Sequence, residues 1–223
     1  MTDEHSAHAS RSNRRPRSWG KGRMEAFSDG VFAIAITLLV LDLAIPEGSG
    51  KDLLTAFFSQ WPQYLAYVVS FATIGAIWLA HTAITDHLDH ADSTFLRLNL
   101  LVLLLVSFIP FPTRFLSEYI SSDQAERVAV TIYGVSMFLV SAMIVLLWRY
   151  ARSAKLVAAT SEDGELAVYS ERLTPGLAAY AIIIVLGLFA PVAAVVGYLV
   201  IAIFIIVPLP LRRLRRGRGS EAP

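Results

Sequence analysis

Cysteine is absent from the 223 residues, which excludes a disulfide framework, a thiolate metal site and a cysteine nucleophile. Charge is scarce too, at 17% of the chain, with a net of +1. No nucleophile–base pair, glycine-rich phosphate loop or cofactor motif is present. The sequence therefore reads as no enzyme, and it calls for no cofactor. Nor does it open on a leader. MTDEHSAHASRSNRRPRSWGKGR is polar and arginine-rich, and the first apolar run is too long for an h-region and lacks a cleavage site. Residues 1–22 read as a disordered, basic cytoplasmic tail.

Apolar material is plentiful: 55% of the residues are hydrophobic and the mean hydropathy is +0.56. A soluble domain of this size needs less, whereas a bilayer-spanning helix needs about 20 mostly apolar residues. Four such runs fall at 25–45, 62–84, 96–116 and 128–148. The first stops at Pro46, and Pro110 and Pro112 bend the far end of the third. Between the first two lies a short amphipathic stretch with Leu53, Leu54, Phe57 and Phe58. Trp61 and Tyr64 follow it as interfacial anchors. After a polar loop at 149–173, the chain is apolar from Gly176 to Leu211. That length makes about 54 Å of helix, too much for one crossing. Pro191 divides it into 175–190 and 193–211. The fold class is thus all-α: a polytopic membrane protein with six transmembrane helices and both termini cytoplasmic.

Orientation has its own test. With six spans over 23–211 and the N-terminus inside, sixteen Lys and Arg face the cytoplasm, against Lys51, Arg114 and Arg127 outside. The positive-inside rule requires such an asymmetry. The basic tail at 212–223, containing LRRLRRGR, is juxtamembrane and suits anionic lipid rather than nucleic acid. No internal repeat of the inverted-transporter kind is evident.

Ionisable groups inside spans need a partner or a purpose. Ser28 and Asp29 lie a turn inside the cytoplasmic end of span one. Trp78 and His81 share a face near the cytoplasmic end of span two, and Asn99 lies near the start of span three. All are at one depth, so a single hydrogen-bonded cluster is expected. It would serve either as a structural clasp between helices or as a proton or ion relay through Asp29 and His81. At about 100° per residue, Ile34, Thr37, Leu38 and Leu41 fall on one arc, extended by Phe27 and Gly30. Asp29 points elsewhere. Such a stripe can face lipid, pack on a helix, or line a pathway; spacing alone leaves all three open.

Arg23-Met-Glu-Ala-Phe27-Ser28-Asp29-Gly30, followed by VFAIAITLLVLDL, resembles the R-x-x-x-F-S-D signature of bacterial homologues of the lysosomal potassium channel, transmembrane protein 175. IGAIWLAH resembles that family's Trp-x-x-His segment, and RLNLLVLLLVSFIPFPT its Asn-containing, PFPT-terminated helix. The match runs over roughly 23–150. The resemblance implies a homotetrameric potassium channel of the bacterial inner membrane, with potassium as the permeant ion and surrounding lipid as a partner. It also implies no TVGYG-type carbonyl filter, and this sequence contains no such loop. In the family the first helix of each subunit lines the pore. Carried over, its apolar rings fall on Ile34, Leu38 and Leu41, with a hydroxyl layer at Thr37. Arg23 would repel cations if it pointed inward; at the helix start it is placed to pair with an acid or a lipid phosphate.

Two further readings stay on the table. One is a secondary transporter coupled to protons through Asp29 and His81; the other is an inert membrane scaffold. The run His81 to Asp92, with His87, His90, Asp86 and Asp89, has metal-like spacing. It reads as a solvated inner loop with pH-sensitive histidines, because the fifth span offers no matching ligands. Asp42, near the outer end of span one, suits an outer vestibule or a snorkelling acid equally.

Overall fold

The computed structural model describes residues 20–44, 52–122, 125–158 and 176–207. The tails expected at 1–22 and 212–223 lie outside the described residues, apart from Gly20, Lys21 and Gly22, and so does most of the 149–173 loop. The described chain is helical, with an isolated β-bridge between Leu88 and Val157.

Helix α1 (Lys21–Leu38) tightens into a 3-10 turn at Leu39–Asp42. A short helix α2 (Leu53–Ser59) begins where the Asp52 carboxylate accepts the Thr55 N–H at 3.3 Å. Helix α3 (Trp61–Asp86) starts with Pro62, whose missing N–H costs nothing in a first turn. Helix α4 (Ser93–Phe108) is capped by Asp92, which accepts the Phe95 N–H at 2.7 Å. Helix α5 (Pro110–Tyr119) continues the same rod. Pro110 and Pro112 cannot donate to the turn before them, and the Ile109 N–H bonds the Val106 carbonyl at 3.1 Å instead. Helix α6 (Glu126–Ser153) follows, then α7 (Gly176–Gly187) and α8 (Pro191–Ile206).

Four rods are long and apolar enough to cross a membrane: Lys21–Asp42, Trp61–Asp86, Ser93–Tyr119 and Glu126–Ser153. Each contains the run expected from sequence, except that span one leaves its helix by Leu43. The chain is therefore a membrane protein with several apolar helices. The segments expected as spans five and six form shorter helices joined by Leu188–Ala190. They fold back on each other. Glycine permits the close approach, since a Cβ on Gly197 would meet Ile183 at 3.0 Å and one on Gly187 would meet Ala194 at 3.4 Å.

Helix α3 is the hub, packing on α1, α2, α5, α6 and α8. Mid-bundle, Thr113 Oγ1 lies 2.8 Å from Ser70 Oγ, which lies 3.1 Å from the Tyr133 hydroxyl. Bonds of this kind contribute about 1 kcal/mol each net, and leaving one unmade inside a membrane costs more. The Tyr198 ring lies tilted against Tyr133, centroids 5.5 Å apart, and stacks on Tyr180 at 6.1 Å. Helix α1, by contrast, is peripheral, with a smaller share of its residues buried than α3.

Candidate functional site

Met24, Ser28, Phe32, Ala35 and Leu39 form the buried stripe of the α1 rod, stepping by four or three residues down one face. Phe32 and Met24 supply apolar contact, and Ser28 is the one polar member. It needs a partner, and α4 provides it. Asn99 Nδ2–H donates to Ser28 Oγ at 3.0 Å, and His81 Nε2–H of α3 donates to Asn99 Oδ1 at 2.7 Å. All three are at most 2% exposed. The Phe32 ring covers the imidazole, centroids 5.4 Å apart.

Asp29 takes a separate course. Its Oδ1 accepts the Trp78 Nε1–H at 2.9 Å, on the exposed side of the α1–α3 contact. The single cluster expected from depth therefore divides into two. Ser28, Asn99 and His81 form a buried chain, and Asp29 with Trp78 forms an outlying pair. Neighbouring residues on a helix point about 100° apart, so Ser28 and Asp29 reach different partners. Together the bonds tie α1 to α3, α1 to α4 and α3 to α4.

Lys21 and Glu25 were not singled out from the sequence. Lys21 Nζ donates to the Leu88 carbonyl at 3.0 Å and the Asp86 carbonyl at 3.3 Å, and lies 3.7 Å from Glu25 Oε1. An ammonium at the C-terminal end of α3 satisfies carbonyls that lack helical donors and complements the helix dipole. The available signal was a lysine at the start of span one, at the membrane level where span two ends.

The opposite face of α1 is exposed among the described residues. Phe27 is 57% exposed, Ile34 61%, Leu38 41% and Leu41 73%. Thr37 is exposed among them, and its hydroxyl donates to the Ile34 carbonyl at 2.9 Å. That bond uses the hydroxyl proton and leaves the oxygen's lone pairs free for a cation. A Cβ on Gly30 would meet nothing within 4 Å. Arg23 is exposed at the start of the helix and makes no ion pair among the described residues. At the far end, a cavity of about 280 Å³ is lined by Leu41, Asp42, Ala44, Gln63, Arg114, Ser117 and Glu118.

Between α3 and α4, the histidines and acids are drawn apart. His87 Nδ1–H donates to the Ala83 carbonyl at 2.6 Å, and His90 pairs with Asp89 at 3.2 Å. Asp92 accepts the Tyr150 hydroxyl at 2.6 Å. Burial alone would push the Asp92 carboxyl up; the Tyr150 hydroxyl, the Phe95 and Thr94 N–H groups and His90 hold it below the usual range. Among the described residues no three His, Asp or Glu converge as metal ligands do.

Similarity to known proteins follows the same segment. A family model described as the endosomal/lysosomal potassium channel TMEM175 matches residues 23–110. A potassium channel of Streptomyces collinus is 46% identical over 128 residues, 57% of this chain and 62% of that protein. A potassium channel of Chamaesiphon minutus is 40% identical over 168 residues, 73% of this chain and 82% of that one. In three dimensions the chain is similar to the crystal structure of a lysosomal potassium-selective channel TMEM175 homolog from Chamaesiphon minutus. The TM-score is 0.76 at 35% identity, over 83% of this chain and 96% of that one.

Proposed function

Given that the chain belongs to the TMEM175 family of ion channels, we propose that it conducts potassium passively across the bacterial inner membrane, through a pore lined by α1. The observation that carries this reading is the exposed face of α1. Ile34, Leu38 and Leu41, with Thr37 among them, lie opposite the buried stripe that holds the helix in the bundle. A single subunit cannot enclose a path with one helix face. Four copies around an axis would bring those faces together, with the polar chain of Ser28, Asn99 and His81 fixing each from behind. The apolar rings would close the path by excluding water, and the Thr37 oxygens would replace part of the ion's hydration shell. No carbonyl filter enters this mechanism.

The same reading takes α7 and α8 as the fifth and sixth crossings, which leaves both termini in the cytoplasm. The sixteen-to-three distribution of basic residues supports it. At about 18 Å, α7 is shorter than a bilayer core, so the hairpin would depend on its packing against α3 and α6. Of the signature residues, Ser28, Asp29, Trp78, His81 and Asn99 serve to orient α1 rather than to carry ions, whereas Arg23, Phe27 and Gly30 lie on its exposed side. A proton-coupled transporter using Asp29 and His81 has less support, because the acid bonds Trp78 and the imidazole bonds Asn99.

Purified protein in liposomes should pass potassium faster than sodium, and Ile34→Asn should change or raise that flux. Flux that needs an opposing proton gradient and disappears in Asp29→Asn would favour the transporter.

A further inference from the structure

Helix α2 and the first residue of α3 leave five large apolar side chains largely exposed among the described residues. Leu53, Leu54, Phe57, Phe58 and the adjoining Trp61 are 56%, 73%, 45%, 70% and 47% exposed. On a helical wheel they span about 140°, while Thr55 and Ser59 lie on the other side. Half-buried Ala56 and Gln60 form a third face. The helix is amphipathic, and among the described residues its apolar side stays largely exposed.

Its position limits what can cover that side. It lies in the connection between two membrane rods, the first ending at Asp42 and the second beginning at Trp61, so it sits at the level where a bilayer meets water. No charged residue occurs from Leu53 to Tyr64. The rings of Phe57 and Tyr64 touch, with centroids 5.1 Å apart, which pins α2 against the first turn of α3. Below Trp61 the apolar surface continues down α3 through exposed Val68 and Phe71. Aromatic rings at the boundary, apolar side chains beside them and hydroxyls opposite match a helix lying flat in the headgroup layer.

We propose that α2 is an interfacial helix whose Leu53–Leu54–Phe57–Phe58–Trp61 face dips into the acyl boundary of the bilayer, making lipid its partner. The Gln63 side chain just beyond it accepts the Ala44 N–H at 3.2 Å. A lipid-seated α2 therefore also steadies the outer end of α1. The inference needs only a membrane-embedded chain and is independent of what the protein conducts.

The absence of cysteine makes the test direct. Single variants Leu54→Cys, Phe58→Cys, Thr55→Cys and Ser59→Cys are spin-labelled in phosphatidylcholine–phosphatidylglycerol liposomes. Collision rates are measured with oxygen, which concentrates in lipid, and with a water-soluble nickel chelate. Labels at 54 and 58 should favour oxygen, and labels at 55 and 59 should favour nickel. Leu53→Cys, on the same arc, replaces any variant whose label lowers the melting temperature. Nickel preference at all four positions would put α2 in water and overturn the proposal. Labels at 54 and 58 that are immobilised and shielded from both agents would assign the face to a second copy of the chain, and would overturn it equally.

Discussion

Replacing Asn99 by leucine removes the middle of the buried polar chain. The wild-type amide donates to Ser28 at 3.0 Å and accepts from His81 at 2.7 Å. Leucine has the same branched skeleton and heavy-atom count, so no cavity opens and the loss is set mainly by the hydrogen bonds. Two bonds at about 1 kcal/mol each are lost, and the His81 N–H, 1% exposed, is left unpaired at a further cost of about 1–2 kcal/mol. The sum is about 3–4 kcal/mol, which lowers the melting midpoint by about 6–16 °C for a chain of this size. The assay is thermal unfolding of purified protein in one detergent, followed by tryptophan fluorescence or retention of the oligomer peak. Asp29→Asn is the control. It keeps an acceptor for the Trp78 N–H at an exposed position, so the loss should stay under about 1 kcal/mol. His81→Leu added to Asn99→Leu should recover much of the deficit, because a pair replaced on both sides leaves only the Ser28 hydroxyl unmatched. Equal losses for Asn99→Leu and Asp29→Asn, or no loss for either, would refute the division into a buried chain and an outlying pair.

Two other perturbations probe different parts of the bundle. A Cβ on Gly134 would collide with the Tyr198 hydroxyl and Ile184, so Gly134→Ala should cost about 1–3 kcal/mol in thermal unfolding. Among the described residues the buried Tyr198 hydroxyl has no hydrogen-bond partner. Tyr198→Phe should therefore be neutral or slightly stabilising, and should relieve part of the Gly134→Ala loss. For Asp92, the depressed carboxyl contributes stability that is present above the unfolded value of 3.8 and is lost as pH falls through the lower folded value. Asp92→Asn retains the helix cap but loses this contribution. Wild type should thus melt above the variant at neutral pH, with the gap closing below about pH 4.

Much of this architecture is written in the apolar runs. Four rods lie where their length and hydropathy put them, because a membrane span must satisfy its own backbone. The proline effects were also legible. Pro110 and Pro112 mark the join of α4 and α5, and Pro191 opens α8. Less was readable where tertiary geometry decides. Ser28 and Asp29 are neighbours in sequence and equal in depth, yet rotation about the helix axis sends them to separate partners. The Lys21 cap depends on α3 ending beside the start of α1, which no local pattern states. The tightening of α1 into a 3-10 turn at Leu39 carries no proline or glycine signal. The tyrosine cluster has no local signal either, since Tyr133, Tyr180 and Tyr198 are far apart in sequence and meet only through the α7–α8 hairpin. The stripe of Ile34, Thr37, Leu38 and Leu41 was visible from periodicity. Its exposure in the folded subunit is the structural fact that periodicity alone could not supply.

Cysteine substitution along α1 tests the central claim most directly, because the chain contains no cysteine of its own. Potassium flux through liposome-reconstituted Ile34→Cys, Thr37→Cys and Leu41→Cys is followed while a cationic thiol reagent is added, with Ala35→Cys from the buried stripe as the reference. The account predicts that the reagent slows flux through Leu41→Cys most readily and through the other two exposed positions, and leaves Ala35→Cys unchanged. Full potassium flux after modification of all three exposed positions would show that this face of α1 does not line the path.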